Sequence, residues 1–178
     1  MATEHTENRI VTGELPTRSA LLRTFRAPGD PRLRGHRVLE AAGELVECHE
    51  SRQRALRTAR RPGASSGRVA ACAQQVDDID HRRAELVGRI DRWVATNVAH
   101  RGGASLHTET LGSVIDRLAA KWIVAQQAVG PKASIDAPRP LRTDGIAHLE
   151  WTRLAELADG YQDLITDVTE HRRRLPVW

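Results

Sequence analysis

Apolar side chains return every three or four residues along four separate stretches of this chain, and that spacing leaves few folds open. Val38, Ala42, Leu45 and Leu56 mark the first, with His49 and Arg52 on or beside the same stripe. Val69, Ala73, Val76, Ile79, Arg83, Leu86, Ile90 and Trp93 or Val94 mark the second. Leu111, Val114, Ile115, Leu118, Trp122 and Ala125 form the third, and Leu149, Leu154, Leu157, Tyr161, Leu164, Ile165 and Val168 the fourth. A repeat near 3.6 residues lines these positions along one side of an α-helix, whereas the two-residue alternation of a strand is scarce.

The breaks fall where helices should stop. Pro and Gly cluster at 27–31, at 62–67, around Gly102-Gly103 and in a Pro-rich connector at 131–143. The pattern predicts a short helix over 17–26 and long helices over about 32–61 and 67–98. A third long helix starts behind an N-cap at Thr110 and ends near Val129, and a fourth runs from 143 or 144 to 174. The expected class is all-α: an antiparallel bundle of about four long helices plus a short N-terminal helix. Residues 1–16 read as a flexible lead-in and 17–178 as a single domain.

Composition narrows the function classes. A chain of 178 residues can bury a core without metal or disulfide staples. No run of about 18 apolar residues suggests a membrane span. The first residues lack the basic-then-apolar order of a secretory signal, so a cytoplasmic setting is expected. Cys48 and Cys72 lie inside predicted helices without metal-like spacing and are expected to be small buried side chains. All but two of the 27 basic residues are arginine, the exceptions being Lys121 and Lys132, and the net charge is +4. Arginines gather at 52, 54, 57, 60 and 61 and at 172–174. Acidic residues share those helices and no aromatics interleave with them, so a solvated helix face is the reading and a nucleic-acid-binding regulator the weaker alternative.

One segment concentrates polar chemistry. Leu106-His-Thr-Glu-Thr-Leu-Gly-Ser-Val-Ile-Asp-Arg-Leu118 brings a histidine, two carboxylates, an arginine and three hydroxyls to a loop-to-helix junction. Free N–H groups and the positive end of a helix dipole suit an anion there. His107 and Glu109 are the candidate proton-transfer groups. Arg83 and Arg117 can clamp a carboxylate or phosphate, with Asp80, Thr108, Thr110, Ser113 and Asp116 completing a substrate-binding set. His49 is a further possible member. The competing reading is structural, with Thr108, Thr110 and Ser113 capping the helix and Asp116 and Arg117 tying helices together by ion pairs. No metal is expected, because a carboxylate-bridged site would need Glu-x-x-His and the sequence has only Asp78-x-x-His81. No phosphate loop, nucleophile elbow or dinucleotide fingerprint is present, so no cofactor is expected either.

The 106–118 segment resembles the signature of the bacterial family catalogued as domain of unknown function 4254, close to Leu-x-Thr-Glu-Thr-Pro-Gly-Ser-x-x-Asp-Arg-Leu. Val76-Asp-Asp-Ile-Asp-His-Arg-Arg-Ala-Glu-Leu-Val-Gly-Arg-Ile-Asp91 is similar to its other marked segment, and together the resemblance covers about 35–130. It implies that the marked polar residues are Asp80, Arg83, Asp91, Thr108, Glu109, Thr110, Ser113, Asp116 and Arg117. Leu111 stands where the family usually has proline, and Leu45-Val-Glu-Cys-His-Glu50 matches its acidic first-helix segment only loosely, which makes the chain a divergent member. The resemblance implies specialised or sugar-related metabolism. The functional expectation is a homodimeric protein with one polar pocket around 107–117 and the Asp80/Arg83 turn. It would bind an anionic small molecule and catalyse a cofactor-free cyclisation, isomerisation or elimination. The alternative is a non-catalytic scaffold for a partner enzyme.

Overall fold

The computed structural model describes residues 14–31, 35–129 and 141–177. Residues 1–13 of the expected lead-in and 130–140 of the expected connector lie outside that range. The element order is α1 (Arg18–Arg26), α2 (Arg37–Ala59), α3 (Ser66–Asn97), β1 (Ser105–Leu106), α4 (Leu111–Ala128), α5 (Leu141–Thr169) and β2 (Arg173–Arg174).

Three helices begin behind hydroxyl caps. The side chains of Thr17, Ser65 and Thr110 accept the N–H groups of Ala20, Arg68 and Ser113 at 3.2, 3.3 and 3.2 Å, each satisfying one amide that has no partner inside its helix. Helix α2 starts at Arg37 rather than near Arg32. Gly35 has φ +95°, a left-handed turn that no helix can run through. The cap residue His36 turns its ring inward, where Nε2–H donates to the Glu14 carbonyl at 2.8 Å and the ring lies 5.3 Å from Trp93.

Helix α5 stops at Thr169, short of the expected Arg174, and its end has a specific geometry. His171 takes φ +59°, and the N–H groups of Arg172 and His171 donate to the carbonyls of Asp167 and Val168 at 2.8 and 3.1 Å. This nested pair of bonds is a Schellman cap, formed here on a non-glycine residue. The chain beyond it pairs in parallel with the loop before α4, Ser105 opposite Arg173 and Leu106 opposite Arg174. Two-residue strands of this kind were not expected from the helical patterning.

Helix α4 packs against α2, α3 and α5. Leu111, Ile115, Leu118 and Ala119 are completely buried with Val38, Ala42 and Leu45 of α2, Leu86 and Ile90 of α3 and Tyr161 of α5. Tyr161 donates its hydroxyl to the Pro16 carbonyl at 2.7 Å, and Leu15 packs on the core, so Leu15–Pro16 of the expected lead-in are tied down. The stripes fail at two places: Val69, Ala73 and Leu149 are exposed. The reason is length. At about 1.5 Å per residue, the 32 residues of α3 extend roughly 20 Å further than the 18 of α4. The far halves of α2 and α3 therefore have chiefly each other to pack on, and between Ser66 and Glu85 only Cys72 is buried. Among the described residues no helix is long and apolar enough to cross a membrane.

Candidate functional site

The start of α4 is pressed onto α3. A Cβ on Gly112 would stand 2.6 Å from the Val87 carbonyl oxygen and 2.8 Å from Asp91 Oδ1, so only glycine permits this approach. The contact places the Gly112 N–H 2.8 Å from Asp91 Oδ1, which gives a second first-turn amide of α4 a partner. Burial pushes the Asp91 carboxyl above its ordinary value, while the Gly112 N–H and the Thr110 hydroxyl pull it back in part. A carboxylate whose pKa folding raises contributes stability below its unfolded value of 3.8 and loses that contribution as pH rises through the folded value. Asp91→Asn keeps an acceptor for Gly112 and removes the buried charge. It should be at least as stable as wild type at pH 7, while Asp91→Ala should lose about 1–3 kcal/mol by orphaning the amide. Urea unfolding of both variants checks this, and an Asn variant as damaged as the Ala one would contradict it.

Deeper along the same helices, five side chains form one continuous ion network. Arg83 grips Asp116 with a two-pronged fork, Nε to Oδ1 at 3.1 Å and Nη2 to Oδ2 at 2.6 Å. His49 Nε2–H donates to Asp116 Oδ1 at 2.8 Å. The third nitrogen of Arg83 reaches Asp80 at 2.7 Å, and Arg52 Nε reaches both Asp80 oxygens at 3.0 and 3.2 Å. Burial opposes the Asp116 charge, but the hydrogen bonds and positive charge of His49 and Arg83 outweigh it and hold the carboxyl below its ordinary value. The same balance of burial against Arg83 and Arg52 lowers Asp80. The network joins α2, α3 and α4 and satisfies its own charges.

The cavity lies elsewhere, between α4 and α5. A solvent-open cavity of about 470 Å³ is lined by His107, Val114, Arg117 and Lys121 on one side and by Arg153, Glu156, Leu157, Gly160, Tyr161 and Leu164 of α5 on the other, with Arg173 of β2. The β1–β2 pairing builds one end of it, because the His107 N–H donates to the Arg174 carbonyl at 2.9 Å. Four permanent cations and one histidine face one carboxylate, Glu156. The cations already have counter-ions at the margins: Arg117 with Glu109 at 2.8 Å, Arg153 with Glu150 at 2.7 Å, Lys121 with Glu150 at 3.9 Å and Arg173 with Asp167 at 3.6 Å.

Residues 39–177 match a family described as protein of unknown function (DUF4254). The chain belongs to that family. The DUF4254 match runs well past the 35–130 reach of the two motifs and takes in α5 and β2, hence every residue lining the cavity. No curated protein and no solved structure matches the chain.

The expected single pocket around 107–117 and the Asp80/Arg83 turn resolves into three separate groupings. His107 and Arg117 line the cavity; Glu109 does not, and serves as counter-ion to Arg117. Asp80, Arg83, Asp116 and His49 make the ion network, on faces of α3, α4 and α2 that do not line the cavity. Thr110 and Ser113 cap α4, and Thr108 is exposed in the loop before it. Among the described residues no group of three or more His, Cys, Asp or Glu could hold a metal ion. Cys72 is buried as expected, whereas Cys48 is half-buried, with burial pushing its thiol above the ordinary value. Sequence reasoning missed Arg52 as a partner of Asp80, and Lys121, Arg153, Glu156 and Arg173 as cavity residues. The one local hint was that Lys121 follows Arg117 by four residues, which puts both on one helix face.

Proposed function

We propose that this protein binds a small anionic molecule in the α4–α5 cavity and acts on it by acid–base chemistry without a cofactor. One observation carries the reading: Arg117, Lys121, Arg153 and Arg173 converge with His107 on a hollow whose remaining wall is largely apolar. Its volume is that of a small-molecule site, about 300–1,000 Å³.

His107 is the proton-transfer candidate on the wall. Its Nδ1 lies 2.8 Å from the Glu109 carbonyl and 3.2 Å from the Glu109 N–H. If Nδ1 carries its hydrogen to the carbonyl, Nε2 is left as a base; if it accepts the amide, Nε2–H is an acid. The shorter contact favours the base. Cyclisations, isomerisations and eliminations are the reactions such a group can run alone, and specialised metabolism in the cytoplasm is their expected setting. The reading takes the four long helices as an antiparallel up-and-down bundle, supported by the packing of α2 on α3 and of α4 on α5.

The test is thermal denaturation against a panel of anionic metabolites. A ligand at about 100 times its Kd adds roughly 2.7 kcal/mol, or a rise of about 5–10 °C in Tm for a chain of this size. The Arg117→Gln/Lys121→Gln double variant should lose that shift. So should Gly160→Leu, since Gly160 has open space beside it that a side chain would fill. Absence of a saturable shift with every anion would reject the cavity as a binding site.

A second reading has its own observation. Ile146 and Leu149, three residues apart on one face of α5, are 60 and 46 % exposed. An apolar face of this kind favours contact with another protein, either a partner enzyme for which this chain is a scaffold or a second copy in a homodimer.

A further inference from the structure

The cavity's charge is not spread evenly along its length. At the end nearest the start of α4, the Arg117 guanidinium reaches back to Glu109, beside His107 and the β2 residue Arg173. At the other end, Lys121 and Arg153 share the single carboxylate Glu150. Glu150 is largely buried, and its Oε2 has no hydrogen-bond partner, with Lys121 Nζ at 3.9 Å the cation beside it. Between the two ends the wall is Val114, Leu157, Gly160, Tyr161 and Leu164. The lining residues run from Val114 to Lys121 along α4 and from Arg153 to Leu164 along α5, spans of about 10 and 16 Å at 1.5 Å per residue. Two cationic ends separated by an apolar middle form a ditopic receptor.

We infer that the ligand is a linear dianion, with one carboxylate or phosphate at each end of the cavity and an uncharged body along Leu157 and Tyr161. This rests on the anion-binding reading of the same cavity. A monoanion can occupy only one end and leaves the opposite cations with their own counter-ions. A dianion of matching length binds its second end at the high effective concentration set by the first, so affinity must pass through a maximum as the spacer lengthens. Glu156 is exposed and is the one carboxylate on the cavity lining. Its negative charge disfavours any ligand with a third anionic group there.

Isothermal titration calorimetry of the full chain with succinate, adipate, suberate, sebacate and dodecanedioate, with octanoate as the monoanion, tests this. The bisphosphate of octanediol distinguishes phosphate from carboxylate ends. The expected result is a maximum at an intermediate length, at least about tenfold tighter than octanoate. Lys121→Gln and Arg153→Gln should each flatten the length dependence to the monoanion level while octanoate still binds. Glu156→Gln should tighten the best dianion a few-fold. Octanoate binding as tightly as the best dicarboxylate, with no length optimum, would overturn the ditopic assignment and leave the anion cavity standing. Failure of every anion to bind folded wild-type protein would overturn both.

Discussion

Gly112→Ala should cost this protein about 3 kcal/mol, more than any other single methyl added to a glycine of the described helices. The added carbon would meet the Val87 carbonyl oxygen at 2.6 Å and the Asp91 carboxylate at 2.8 Å. The first of these is backbone and cannot swing aside, so α4 must back away from α3. Overpacking of that kind costs about 1–3 kcal/mol. The retreat also stretches the Gly112–Asp91 hydrogen bond and leaves a buried carboxyl short of a donor, at a further 1–3 kcal/mol or so. For a domain of this size the loss corresponds to a fall of about 6–12 °C in Tm. Gly145→Ala is the matched control, because that helical glycine has nothing within 4 Å, and alanine there should be neutral or stabilising by roughly 0.5–1 kcal/mol. Calorimetry on the two variants settles it; equal melting temperatures would mean that α4 is not seated on α3 as described.

Asp116→Ala is expected to be about as damaging, near 3 kcal/mol, for a different reason. It leaves His49 without its acceptor and strips Arg83 of two of its three charge-assisted bonds. Removing one member of a buried charge pair costs more than the pair contributed. The retained Asp80–Arg83 contact and the partial exposure of Arg83 keep the loss at the low end of that range. The acid limb of stability carries the same signature. Folding depresses the carboxyls of Asp116, Asp80 and Glu44, each by bonds to cations that outweigh burial. Their contribution is therefore complete above the unfolded values of 3.8 and 4.5 and is lost as pH falls through the lower folded values. Wild type should weaken steeply below about pH 4, and Asp116→Asn should start lower but fall less. Denaturation midpoints between pH 2 and 7 test this, and parallel curves for the two proteins would refute a depressed Asp116.

The helices were legible because their signals are local. Val38, Ala42 and Leu45 repeat with the period of the helix they form, and the Thr110 cap sits next to the turn it caps. The polar cluster at 106–118 was legible as chemistry but not as geometry. Asp116 and Arg117 are neighbours in sequence, yet α4 turns them to different sides, Arg117 towards α5 and Asp116 towards α2 and α3. The Arg52–Asp80 bond spans two helices, and nothing in either residue's surroundings announces it. The same holds for Arg153, Glu156 and Gly160, whose shared place on one wall appears only once α5 lies against α4. Nothing beside Gly112 in the sequence requires glycine; its purpose appears only with the Val87 carbonyl opposite. The end of α5 was misplaced because His171 supplies a left-handed turn that a pattern search looks for at glycine.

The β1–β2 pairing has a kinetic meaning. It closes a loop of roughly seventy residues with a handful of backbone bonds, so it cannot form until α4 and α5 are already side by side. Its bonds should then be among the last made and the first broken, and exchange at the Ser105 and His107 amides should run ahead of exchange in α4. Each transient release would carry His107 and Arg173 away from the end of the cavity together.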